Sequence, residues 1–172
     1  MTGKAGEHPH KREASSSLVF KILTVSSSRS LNEDHTGDLI SSLLEKAGHK
    51  VQERRVVRDD VELIRFNLRG MLESDPHVII INGGTGVTPK DVTVEAVRPL
   101  FQKELAAFSA LFAYISFEQI GPAALLSRAC AGIVGQTAIF CLPGSSGACQ
   151  LAMDRLIVPE ASHLMAHVRS RI

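Results

Sequence analysis

The run Val78-Ile79-Ile80-Ile81 opens directly onto Asn82-Gly83-Gly84-Thr85-Gly86. Four consecutive β-branched apolar residues with no polar alternation fit a strand covered on both faces, hence a sheet with helices on each side. The glycines end the strand at once and admit backbone conformations closed to other residues. In sheets of this kind, ligands collect at the carboxyl ends of strands.

The rest of the sequence fits around that strand. Leu18–Val25 and Thr137–Leu142 are short apolar runs and read as buried strands. Val51–Val57 alternates in part and reads as a strand near an edge. Leu39, Ile40, Leu43, Leu44 and Ala47 repeat at helical spacing before Gly48, and Val61, Ile64, Leu68, Met71 and Leu72 repeat after Asp59. A further helix is expected from about Pro89, ended or kinked at Pro99. Leu105–Ile115 is apolar without a decisive period. Pro122–Ala131 reads as a helix with proline in its first turn. A last helix carries Leu151, Leu156, Val158 and Leu164 in spite of Pro159. Strands alternating with helices predict an α/β fold, a three-layer α/β/α sandwich with a mainly parallel sheet.

Residues 1–17 are polar and read as a disordered tail, leaving residues 18–172 as a single domain. The net charge of +1 argues against a dedicated nucleic-acid binder. Cys130, Cys141 and Cys149 are too few and too scattered for a disulfide framework or zinc site, which fits the cytoplasm. No apolar run approaches the roughly 18 residues of a membrane span, so no membrane partner is expected.

The chemistry-bearing residues gather after the expected strands. In Gly83-Gly84-Thr85-Gly86, successive backbone N–H groups can face one concavity and hold phosphate oxygens, with a helix N-terminus behind them. A tight strand-to-helix turn accounts for the same residues. Thr88, Pro89 and Asp91 have the spacing of a helix cap, but Asp91 beside a phosphate loop can equally orient Mg2+. Asp59 has the same two readings: a cap paired with Glu62, or a second carboxylate for the metal. Asp34 reads as a solvated loop aspartate. His35, His49, His77 and His163 show no metal-ligand spacing. Arg29, Lys90 and Arg128 read as isolated basic residues, each able to meet an anion. Ser145, in Pro143-Gly144-Ser145, can donate to a phosphate but lacks the context of a nucleophile.

Taken in order, Thr24-Val25-Ser26, Asp34-His35-Thr36-Gly37, Asn82-Gly83-Gly84-Thr85-Gly86 with Asp91-Val92-Thr93, Ser116-Phe117-Glu118-Gln119-Ile120-Gly121, Leu126-Ser127-Arg128-Ala129 and Leu142-Pro143-Gly144-Ser145 resemble the MoaB/MogA family of molybdenum cofactor biosynthesis, and more the MoaB branch. The resemblance runs from Leu18 onward. It implies the molybdopterin-binding α/β fold, assembled as a homotrimer or homohexamer. It also implies Mg2+-dependent adenylylation of molybdopterin by ATP, giving molybdopterin-AMP and pyrophosphate. Asp59 and Asp91 then fall on the catalytic, metal-holding aspartates. Gly83, Gly84, Thr85 and Gly86 fall on the nucleotide and phosphate loop, and Ser26, Pro143, Gly144 and Ser145 on the pterin side. Other pathway proteins are possible partners. The alternative is a non-catalytic molybdopterin- or nucleotide-binding module, or a scaffold in the same pathway.

Overall fold

The computed structural model describes residues 17–28 and 30–170. The expected tail up to residue 16, and Arg29, lie outside the described residues. Six strands form one sheet: β1 (Val19–Val25), β2 (Lys50–Val57), β3 (Val78–Asn82), β4 (Lys103–Glu104), β5 (Cys130–Val134) and β6 (Thr137–Leu142). Their spatial order is β2-β1-β3-β6-β5-β4. The first four in that order run parallel, β5 pairs antiparallel with β6, and β4 antiparallel with β5. The helices are α1 (His35–Lys46), α2 (Val61–Leu72), α3 (Thr93–Val97), α4 (Ala106–Ile120), α5 (Ser146–Ala152) and α6 (Val158–Val168).

Side-chain alternation along the strands sorts the core into two halves. Phe20, Ile22, Val78 and Ile80 pack with residues of α1, α4, α5 and α6. Leu23, Val25, Ile79 and Ile81 pack with α2 and α3. Every side chain of Val78–Ile81 is fully buried, each worth roughly 1.5–3 kcal/mol as an upper bound. The three-layer, mainly parallel architecture is the one the alternation of elements predicts.

Several elements differ from the sequence expectation. The helix expected from Pro89 begins only at Thr93, and Pro99 sits in the 3-10 turn Arg98–Leu100 that follows it. Leu105–Ile115 belongs mostly to α4. Pro122–Ala131 is not a helix: a 3-10 turn, Gly121–Leu126, gives way to extended chain and then β5. Gly132 is obligatory there, because a Cβ would lie 2.3 Å from the Phe101 ring. The last helix accommodates Pro159 through a π-helical turn, Met153–Ile157, directly before it. Proline offers no N–H to the preceding turn, and the wider turn absorbs the break.

Candidate functional site

The chain leaves β1 toward α1 on one face and leaves β3 toward α3 on the other. A crevice opens where neighbouring strands send their connections to opposite sides. The loops after β1, β2, β3 and β6 converge on it.

Gly83 and Gly84 have φ of 99° and 64°, the left-handed region that suits glycine. A Cβ on Gly83 would lie 2.1 Å from the Val25 carbonyl oxygen, so β1 and the loop touch through bare backbone. The four carbonyls of the loop are all tied back into the protein. The Thr93 hydroxyl donates to Gly83 O (2.8 Å) and the Thr93 N–H to Gly84 O (3.0 Å). The Arg128 N–H donates to Thr85 O (2.9 Å) and its Nε to Gly86 O (2.7 Å). In a trans peptide the N–H points opposite to the C=O. Anchoring the Gly83 and Gly84 carbonyls therefore turns the Gly84 and Thr85 N–H groups the other way, the arrangement that binds anions, while the Gly83 N–H donates to Leu142 O (3.0 Å) and the Gly86 N–H serves Asp91. Thr85 Oγ1 is buried without a hydrogen-bond partner, which leaves it open to a water, ion or ligand oxygen at the loop.

Both expected aspartates flank this loop. A Cβ on Gly84 would lie 3.2 Å from Asp59 Oδ1, and one on Gly86 would lie 2.8 Å from Asp91 Oδ2. Asp59 is not a helix cap. Asp60 caps α2 by accepting the Leu63 N–H (2.8 Å), while Asp59 accepts the Ser27 hydroxyl (2.6 Å). Asp91 caps no helix either. Its Oδ2 accepts the N–H (2.8 Å) and hydroxyl (2.6 Å) of Thr88, closing the turn before α3. The Thr88 hydroxyl, chiefly, holds the Asp91 carboxyl below its usual range; burial opposes it, and the Thr88 and Gly86 N–H groups and Arg128 add to it. Asp91 is thus an anion at neutral pH. Two carboxylates beside a phosphate loop suit Mg2+, which takes one or two carboxylates and fills its remaining positions with phosphate oxygens and water. A closed three-ligand cluster is not required for that, and none occurs among the described residues.

The adjoining cleft has a volume of about 350 Å³. Gly84–Gly86 and Asp91 form one side, Pro143–Ser145 another, and Phe112, Ile120 and Leu126 an apolar wall. A Cβ on Gly144 would lie 3.3 Å from Gly83 Cα, so the two small-residue loops abut. Ser145 caps α5 and is exposed. Ser26 is not part of this lining: its N–H donates to Val57 O (2.8 Å) at the end of β2.

Three residues carry more than their sequence context suggested. Ser27, adjacent to the expected Ser26, is the serine that holds Asp59. Arg128 is no isolated cation: besides Gly86 it donates to Asp91 O (2.9 Å) and pairs with Glu95 on α3. Asp34 is fully buried rather than solvated. It caps α1 through Gly37 N–H (2.9 Å), accepts the Thr24 hydroxyl (2.8 Å) and pairs with Arg54 (3.2 Å). The sequence reading missed the cap, which an aspartate just before the first turn of α1 could have signalled, and a lone aspartate carries no sign of an arginine brought in by β2. Lys90 is exposed on the loop.

Known proteins resemble this chain over most of its length. The family profile described as "Probable molybdopterin binding domain" matches residues 21–163. Molybdenum cofactor biosynthesis protein B of Bacillus subtilis is 43% identical over 162 residues, 93% of this chain and 95% of that protein. A crystal structure of a molybdenum cofactor biosynthesis protein B is 44% identical, with a TM-score of 0.87 over 91% of this chain and 98% of the other. The tungsten cofactor synthesizing protein MoaB from Pyrococcus furiosus is 35% identical, with a TM-score of 0.81 over 90% of this chain and 98% of its own. No helix among the described residues is long and apolar enough to cross a membrane. Matched by that profile over most of its length and 43% identical to molybdenum cofactor biosynthesis protein B of Bacillus subtilis, the chain belongs to the molybdopterin-binding family of molybdenum cofactor biosynthesis proteins.

Proposed function

We propose that the chain transfers the adenylyl group of ATP to the phosphate of molybdopterin, yielding molybdopterin-AMP and pyrophosphate. One observation carries the reading: a loop with every carbonyl anchored behind it lies between two carboxylates that cap no helix. A phosphate oxygen of molybdopterin attacks the α-phosphorus of ATP, and the bond to the leaving pyrophosphate breaks. Transfers of this kind need positioning and charge stabilisation rather than a side-chain nucleophile. The Gly84 and Thr85 N–H groups orient the phosphates. Asp59 and Asp91 hold Mg2+, which when bound neutralises phosphate charge. Pro143–Ser145 and the apolar side chains of Phe112, Ile120 and Leu126 offer a flat ring system a face to lie against.

The test is incubation of the full chain with molybdopterin, ATP and Mg2+, followed by quantification of molybdopterin-AMP and pyrophosphate. Product above a protein-free control is expected. Tight binding of molybdopterin or ATP by calorimetry with no product assigns the chain instead to the non-catalytic reading. Self-association into a trimer or hexamer belongs to the same proposal. It is supported by the apolar side chains that α4 and the following turn leave exposed, among them Leu111, Tyr114, Phe117 and Leu125.

A further inference from the structure

We propose that Cys130 and Cys141 form a redox-active dithiol, which a hydroperoxide closes to a disulfide. Neither thiol takes part in the adenylylation reading, and nothing in that reading requires them.

The strand register brings them together. β5 and β6 are antiparallel neighbours, and Cys130 and Cys141 are direct partners across them. Directly opposed residues in an antiparallel pair have Cα atoms about 4.5–5.5 Å apart. Disulfides span about 4.4–6.8 Å between Cα atoms, a range that this spacing meets. Both cysteines are free. Both side chains join the core between the sheet and the α2–α3 layer.

The two thiols are not equivalent. Cys141 is fully buried, whereas Cys130 forms part of the wall of a groove of about 620 Å³ that also presents Arg98, Ser109 and Arg128. The neighbouring Cys141 thiol holds the Cys130 thiol below its usual range, against burial, with the Arg98 and Arg128 guanidiniums assisting and Glu104 opposing. The same contact, together with burial, pushes Cys141 well up. Cys130, which lines the groove, is the nucleophile, and Cys141 behind it the resolving thiol. Cys130 is 1% exposed, so the oxidant must be small, and hydrogen peroxide is scarcely larger than water.

The steps balance. The Cys130 sulfur attacks one peroxide oxygen; the S–O bond forms as the O–O bond breaks. The departing hydroxide takes the Cys130 proton and leaves as water, giving a sulfenic acid. The Cys141 sulfur then attacks the Cys130 sulfur. The S–S bond forms, the S–O bond breaks, and the second hydroxide takes the Cys141 proton as water. Two thiols are oxidised by two electrons, and one peroxide is reduced to two waters.

Cys149 is an internal control. It is buried on the opposite face of the sheet, and burial, with Asp34 adding, pushes its thiol up to about 12. The full chain is treated with hydrogen peroxide, then denatured, alkylated and peptide-mapped. Two of the three thiols are expected to escape alkylation, joined as a Cys130–Cys141 cross-linked peptide, while Cys149 is alkylated. Dithiothreitol restores all three. In Cys141→Ser treated with peroxide and then denatured, dimedone is expected to label Cys130. Full alkylation of Cys130 and Cys141, at a peroxide dose that consumes free cysteine in a parallel tube, overturns the proposal. A first lesion at Cys149 does the same. If Cys141→Ser fails to fold, the wild-type peptide map decides alone.

Discussion

Asp59 and Asp60 are neighbours with separable duties. Asp60 closes the first turn of α2, so Asp60→Ala is expected to lower stability by about 1 kcal/mol and leave the adenylylation rate near wild type. Asp59 faces Gly84 and, among the described residues, accepts a bond only from Ser27. Asp59→Asn is expected to shift stability by less than ~0.5 kcal/mol and to depress turnover by about 100-fold or more. Urea unfolding and the molybdopterin-AMP assay read the two effects separately; full activity in Asp59→Asn removes it from the metal site. Glycine substitutions make a second contrast. Gly84→Ala meets both a positive φ and the Thr93 hydroxyl 2.4 Å from the new Cβ, the group that anchors Gly83 O. Gly48→Ala, also at positive φ, meets nothing within 4 Å. Both should lose roughly 1–2 kcal/mol for the left-handed backbone, but only Gly84→Ala should also weaken ATP binding in calorimetry. The glycine loop and Asp91 were visible in the sequence as residues. Which aspartate of the Asp59-Asp60 pair caps the helix was not, because either lies within reach of the same first turn and only the backbone at Asp60 decides it.

At the scale of elements, legibility followed how strongly one period dominated. Val78–Ile81 has no competing reading and proved a central, fully buried strand. α1 and α2 carry clear apolar stripes. α4 does not, because it is apolar on nearly every side and so shows no preferred face. β5 was hidden by Cys130-Ala131-Gly132, which lack the β-branched signature and follow a proline turn. Histidines also join elements invisibly to sequence. His49 and His77 accept the backbone N–H groups of Leu18 (3.3 Å) and Val19 (3.0 Å), pinning the entry to β1. Burial lowers both histidine pKa values, with Arg169 adding to the effect at His77 against Asp75. The unfolded chain then takes up protons first, near pH ~6.5. Stability from these contacts is full above that pH and declines as pH falls from there through the lower folded values. Urea midpoints at about pH 8 and pH 5.5 should differ more in wild type than in His49→Gln/His77→Gln. An equal difference in both proteins would take the histidines out of the acid response.

The whole molecule has one surface that a lone chain does not explain. α4 buries Phe108, Phe112 and Ile115 but leaves Leu111, Tyr114 and Phe117 more than half exposed. Leu125, at 84% exposure, and Leu126 extend the patch from the following turn, and Ile120 and Leu126 also wall the ligand cleft. Contiguous apolar surface of this kind marks an interaction site. Burying each large side chain is worth up to roughly 1.5–3 kcal/mol, enough for a few of them to hold copies together against the entropy of association. Continuity with the cleft makes a further demand: the occupant must leave the phosphate loop open, so the contact should fall on the Tyr114–Phe117 side of the helix. Sedimentation velocity of wild type should give a species larger than one chain. Tyr114→Lys/Phe117→Glu should shift it toward the monomer while the far-ultraviolet circular dichroism stays unchanged, since neither side chain belongs to the core. A wild-type chain that sediments as a monomer at the concentration of the activity assay would exclude self-association from the proposed function. If the monomeric variant keeps its catalytic rate, the cleft is complete within one chain; if the rate falls with assembly, a second copy finishes the apolar wall.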